Sequence, residues 1–92
     1  MIRINCFFQA HDQLAYDYAL AAAKLLVKAS QSHEGVVAYD VFESGTRPLI
    51  FMICETWRDQ AALDKHSATA EFGKYVGVMQ ECGDIKTEIF EF

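Results

Sequence analysis

The chain opens with strict alternation. Ile2, Ile4, Cys6 and Phe8 fall on one side, and Arg3, Asn5, Phe7 and Gln9 on the other. A period of two predicts a strand with one apolar and one mixed face. His11-Asp12 breaks the alternation, and Asp12 suits an N-cap. From Gln13 to about Gln31 the period lengthens. Tyr18, Ala22, Leu25, Leu26 and Ala29 recur at three and four, while Asp17, Lys24 and Lys28 fall outside that stripe. This spacing predicts a long helix that buries the stripe, and the alanine-rich middle favours the same state. After a connection over residues 30–35, Val36 to Glu43 predicts a second strand and Leu49 to Trp57 a third. The turn chemistry of Ser44-Gly45-Thr46-Arg47-Pro48 closes them into a hairpin. Asp59 caps a short helix carrying Ala62, Leu63 and His66, and residues 67–69 interrupt it. A further helix over Ala70 to Cys82 places Phe72, Val76 and Met79 on one stripe. Gly73 and Gly77 lie one turn apart inside it, which predicts an imperfect helix or unusually close packing. Gly83 suits a C-cap, and Asp84 to Phe92 alternates as a last strand.

The order β-α-β-β-α-β with right-handed crossovers predicts an α+β, ferredoxin-like fold: a four-stranded antiparallel sheet with its helices on one face. The third strand is apolar on both faces over most of its length, so both faces should be covered. One helix layer covers one face. A second copy of the chain is expected on the other.

Composition strengthens that expectation. Ninety-two residues make a single domain, 1–92, yet 52% are apolar, with seven Phe and four Tyr. This is more apolar surface than one small core absorbs, which again points to a homodimer. The net charge of −5 with scattered Lys and Arg lacks the basic run that nucleic-acid binding needs. No stretch approaches a membrane span or a cleavable signal. Cys6, Cys54 and Cys82 have neither disulfide nor zinc spacing, and reduced thiols suit a cytoplasmic protein. No metal site, phosphate loop or nucleophile elbow is visible.

The residues best suited to chemistry gather near the third strand. Trp57, at its end, can stack on a flat organic molecule or simply anchor the core. His66 shares the face of Ala62 and Leu63, where a half-buried imidazole can act as a base or pack inertly on backbone. Asn5 is polar within an apolar strand and needs a partner, either a substrate oxygen or a backbone group. Glu55 can pair with His66, Arg3 or Arg47, whereas His11 and His33 lie in polar connections and read as solvated.

Several of these residues fall into a pattern. Gly35 with Tyr39, Phe51, Glu55-Thr56-Trp57, Ala62-Leu63-Asp64-Lys65-His66 and Phe72 resembles the antibiotic biosynthesis monooxygenase family. The match is close over the middle third and agrees with the element order throughout. The resemblance implies a dimeric α+β barrel, two sheets packed face to face. It implies oxidation of a phenolic or quinol-like molecule by dioxygen without metal or flavin. It also implies a catalytic set of His66, Trp57 and Asn5, with Phe51, Glu55 and Phe72 lining the pocket. The family also contains an isomerase-like branch, in which His66 would move a proton beside a carbonyl and Lys65, Arg58 or Lys74 would hold a phosphate. A non-catalytic, dimeric ligand-binding module is the third alternative.

Overall fold

A computed structural model describes Met1–Phe92. The elements are β1 (Ile2–Ala10), α1 (Gln13–Ser30), β2 (Val36–Glu43), β3 (Ile50–Trp57), α2 (Gln60–Ser67), α3 (Ala70–Cys82) and β4 (Gly83–Glu91). The strands form one antiparallel sheet in the order β2-β3-β1-β4, the ferredoxin-like arrangement. No helix is long and apolar enough to cross a membrane.

Local chemistry sets the boundaries. Asp12 accepts from the Ala15 amide at 2.8 Å and Asp59 from the Ala62 amide at 2.9 Å, satisfying otherwise orphaned donors of α1 and α2. Thr69 does the same for α3 through the Phe72 amide at 3.2 Å. Gly35, at φ 80°, turns the chain into β2 in the left-handed region, and a Cβ there would collide with Ala62 Cβ. Gly83 does not end α3 with a left-handed turn. It is extended and already belongs to β4, where it must be glycine because a Cβ would strike the Gln9 carbonyl.

Register decides which side chains enter the core. Ile2 pairs with Trp57, Ile4 with Glu55 and Phe8 with Phe51. These residues face the helices and pack beneath Ala19, Ala23 and Leu26 of α1, Leu63 of α2 and Met79 of α3. The buried face of α1 differs from the stripe its sequence suggested. Ala22 and Leu26 are buried, but Tyr18 and Leu25 are 62% and 51% exposed. The fully buried positions Ala19 and Ala23 explain the rotation: small side chains let the helix axis approach the sheet, and larger ones at those positions would not fit. Gly73 and Gly77 mark no close packing either, since a Cβ at each would meet nothing within 4 Å.

The opposite sheet face carries no helix. At its centre Arg3 lies across β3, donating to Thr56 Oγ1 at 3.2 Å and to the Cys54 thiol, which keeps both residues buried. Around this polar patch the register puts Phe7, Phe42, Met52 and Phe90 on the same face.

Candidate active site

A cavity of about 340 Å³ lies between the helix-facing side of the sheet and helices α2 and α3. Its floor is Ile4 and Cys6 from β1, Tyr39 from β2, and Ile53 and Glu55 from β3. Leu63, Ser67, Phe72, Val76 and Met79 form the helical wall, and Ile85, Thr87 and Ile89 the β4 side. Hollows of about 420 and 470 Å³ lie at the hairpin end and beside the termini, where Arg47, Lys86, Arg58 and Asp59 line them. The smaller, apolar cavity with a buried ionisable group has the character of an organic-ligand site.

That group is Glu55, 6% exposed. Its Oε1 accepts a 2.8 Å hydrogen bond from Trp57 Nε1, and Tyr39 stands opposite it in the β2–β3 register. Burial pushes the Glu55 carboxyl above the usual range, and hydrogen bonds from Trp57 and Tyr39 pull it partway back. It makes no ion pair with His66, Arg3 or Arg47: the ion pairs of the chain link Glu34 to Arg58 and Lys65, and Arg58 to Asp59. Around Glu55 the cavity is kept neutral. Burial and the nearby carboxylate push the Cys6 thiol up to about 11, and the same two influences raise the Tyr39 phenol well above its ordinary value.

Trp57 is wholly buried, so it backs the cavity instead of lining it. His66 sits behind the same wall at 1% exposure. Its ring lies 4.5 Å from the indole of Trp57, 5.1 Å from Phe72 and 5.3 Å from Tyr39. Its Nδ1 is 2.9 Å from Nδ1 of His33, while its Nε2 is buried without a partner. Burial and the neighbouring imidazole push His66 down to about 4, so it is neutral at physiological pH. His33 is therefore a half-buried partner of His66 and not a solvated loop residue.

Two of the expected site residues lie elsewhere. Asn5 pairs with Cys54 and faces away from Trp57 and His66, on the helix-free side of the sheet. Its Oδ1 accepts from Arg3 Nε at 3.4 Å and from the Cys54 thiol at 3.5 Å, which answers its need for a partner without a substrate. Phe51 stacks on Phe8 at 4.7 Å and meets Tyr16 edge-on at 5.8 Å, outside the cavity. Of the residues named from sequence, Glu55 and Phe72 thus reach the cavity. Trp57 and His66 form its second layer. Tyr39, Cys6 and Thr87 are the polar lining that sequence reasoning passed over. Alternation put Cys6 beside Ile4, but only the pairing of Cys6 with Thr87 and of Tyr39 with Glu55 brings them together. No three His, Cys, Asp or Glu side chains converge as metal ligands would.

The family model for "Antibiotic biosynthesis monooxygenase" matches residues 1–78. YcnE of Bacillus subtilis, a protein provisionally named a monooxygenase, is 37% identical over 81 residues, covering 88% of this chain and 84% of YcnE.

This chain belongs to the antibiotic biosynthesis monooxygenase family.

Its structural relatives agree. A conserved protein from Bacteroides thetaiotaomicron, described as a possible oxidoreductase, superposes with a TM-score of 0.95 at 46% identity over 99% of this chain and 96% of its own. A crystal structure of an antibiotic biosynthesis monooxygenase gives 0.90 at 26% identity, covering 100% of this chain and 98% of its own. In this family member the matched segment holds Glu55, Trp57, His66 and Phe72, and it stops within α3, before β4 supplies Thr87 and Ile89.

Proposed function

We propose that the protein is a monooxygenase that oxidises a small phenolic or quinol-type molecule in the Glu55 cavity, with dioxygen as co-substrate. The observation that carries this reading is a buried carboxylate, raised above its usual range, at the floor of a mostly apolar cavity of about 340 Å³. Apolar walls suit an aromatic ring. A carboxylate tuned upward suits removal of a phenolic proton near neutral pH. The phenolate so formed is electron-rich enough to reduce dioxygen. One oxygen atom adds to the ring carbon and the other leaves as water, so phenol and O₂ become quinone and H₂O. The substrate supplies all four electrons. Glu55 takes the phenolic proton and gives it to the peroxide formed on the ring carbon; the proton on that carbon then leaves as the O–O bond breaks, and the departing hydroxide takes it up to become water. Phe72 and Val76 hold the ring, and exclusion of water strengthens each charge interaction inside.

His66 acts here through the wall that it supports, not as the base. The proton-transfer alternative on a phosphorylated compound finds no cation at the cavity. Lys65 and Arg58 are held at Glu34, and Lys74 lies over the Tyr75 ring. We further propose that the helix-free sheet face pairs with a second copy, because Phe42 and Phe90 are 53% and 50% exposed on it. The free thiols of Cys6, Cys54 and Cys82 suit a reducing compartment, where we place the protein.

Oxygen uptake with hydroquinones, dihydroxynaphthalenes and anthrones tests the reading. Uptake above autoxidation that collapses in Glu55→Gln supports it. Uptake equal to background over the whole panel overturns it for these substrates.

A further inference from the structure

Glu55 and Trp57 stand two apart on β3, so both point to the helix side, and they are joined by one hydrogen bond of 2.8 Å. The indole is 0% exposed and does not line the cavity, so it stands behind the surface that the cavity presents. Its faces are occupied: His66 lies 4.5 Å away with its plane tilted by 34°, and Tyr39 meets the ring at 6.1 Å and 76°. A side chain held on several sides has no freedom to swing its N–H. The donor direction is therefore fixed before any ligand binds.

We propose that Trp57 is a positioning residue for Glu55: its indole N–H anchors one carboxylate oxygen and leaves the other turned to the cavity. The inference rests on the reading of Glu55 as the base. A hydrogen bond given to the ionised form favours that form. Here it opposes the burial that would otherwise keep the carboxyl protonated and useless as a base. The groups facing Glu55 are few. Tyr39 comes from β2, Cys6 from β1 and, beyond the indole, His66 from α2, while α3 and β4 present the uncharged Gln80 and Thr87.

The chain has a single tryptophan, so a nitrogen-15 NMR spectrum contains one indole N–H signal that reports on this bond. In the unmodified protein that signal should shift with pH, with its midpoint above the ordinary carboxylate value, and Glu55→Gln should abolish the inflection. An inflection that survives Glu55→Gln belongs to His66 and overturns the proposal, as does a signal that never titrates. Replacing Trp57 by 3-benzothienylalanine keeps the bicycle and exchanges the N–H for sulfur, which guards against loss of the fold. The proposal expects this variant to raise the acidic limb of the kcat/KM profile by about one pH unit and to lower kcat about tenfold, with KM within about twofold. A normal pH profile in the folded variant overturns it. If the indole titrates with Glu55 but no panel substrate consumes oxygen, the positioning stands and the oxidation chemistry fails.

Discussion

His33 Nδ1 and His66 Nδ1 approach to 2.9 Å, joining the loop before β2 to the buried end of α2. Only one of the two nitrogens can carry the shared hydrogen, so the contact requires at least one neutral ring. His66 lies below its ordinary value of 6.5, at about 4, chiefly through burial and then through His33. The unfolded chain therefore takes up a proton at His66 before the folded one does. The stability that this site contributes is complete above about 6.5 and is lost as pH falls from there towards 4. Urea midpoints at pH 7 and pH 4.5 should differ clearly in the natural protein, and the gap should narrow in His66→Leu. An unchanged gap would place the acid sensitivity elsewhere.

Glu55→Gln keeps shape and lets the amide oxygen accept from Trp57 Nε1, while removing the base. Turnover should fall by about 10²–10⁴-fold, the range for loss of a general base. Thermal stability should hold or rise, because a buried ionisable group has been replaced by a neutral one. A variant that melts early but retains turnover when folded contradicts both halves.

Val76 is half-buried on the α3 wall. Val76→Trp should fill the cavity without disturbing the core beneath it. Substrate affinity should drop about tenfold or more while the circular dichroism stays native. Binding isotherms for an unreactive aromatic analogue check this, and unchanged affinity would move the ligand to another surface.

Two glycines should answer substitution in opposite directions. Gly35→Ala forces a Cβ into Ala62 at φ 80°, and should cost about 2 kcal/mol or more. Gly73→Ala, in an exposed helix interior with open space around it, should add about 0.5–1 kcal/mol. Chemical denaturation of both variants measures the pair.

Phe42→Glu combined with Phe90→Glu places charge on the helix-free face while leaving the cavity on the other side untouched. Light scattering should report about twice the chain mass of 10.4 kDa for the natural protein and a single chain for the variant. A natural protein that is monomeric at working concentration removes the proposed pairing.

Elements and caps were legible in the sequence because they depend on neighbours. The alternation of Ile2 to Gln9, the caps Asp12 and Asp59, and the hairpin after Glu43 each rest on interactions within a few residues. The site was legible only in part. Glu55, Trp57, His66 and Phe72 cluster because β3 runs directly into α2 and α3, so a short segment holds them. Asn5 and Phe51 lie outside the cavity, and the sequence could not show this because their surroundings depend on strands distant in sequence. Asn5 has Cys54 as its β3 partner, and that even-numbered position faces away from Trp57. A shift of register by one residue would have reversed this.

The sequence by itself determined the strands, the helices, their order and the family pattern, since period, capping and spacing are local properties. Tertiary structure alone decided which face of α1 is buried, because Ala19 and Ala23 admit the sheet where Tyr18 and Leu25 do not. It also decided that Glu55 rather than His66 meets the cavity. Burial and hydrogen bonding at these positions are set by what packs from β1, β2, α3 and β4, and no local pattern encodes those contacts.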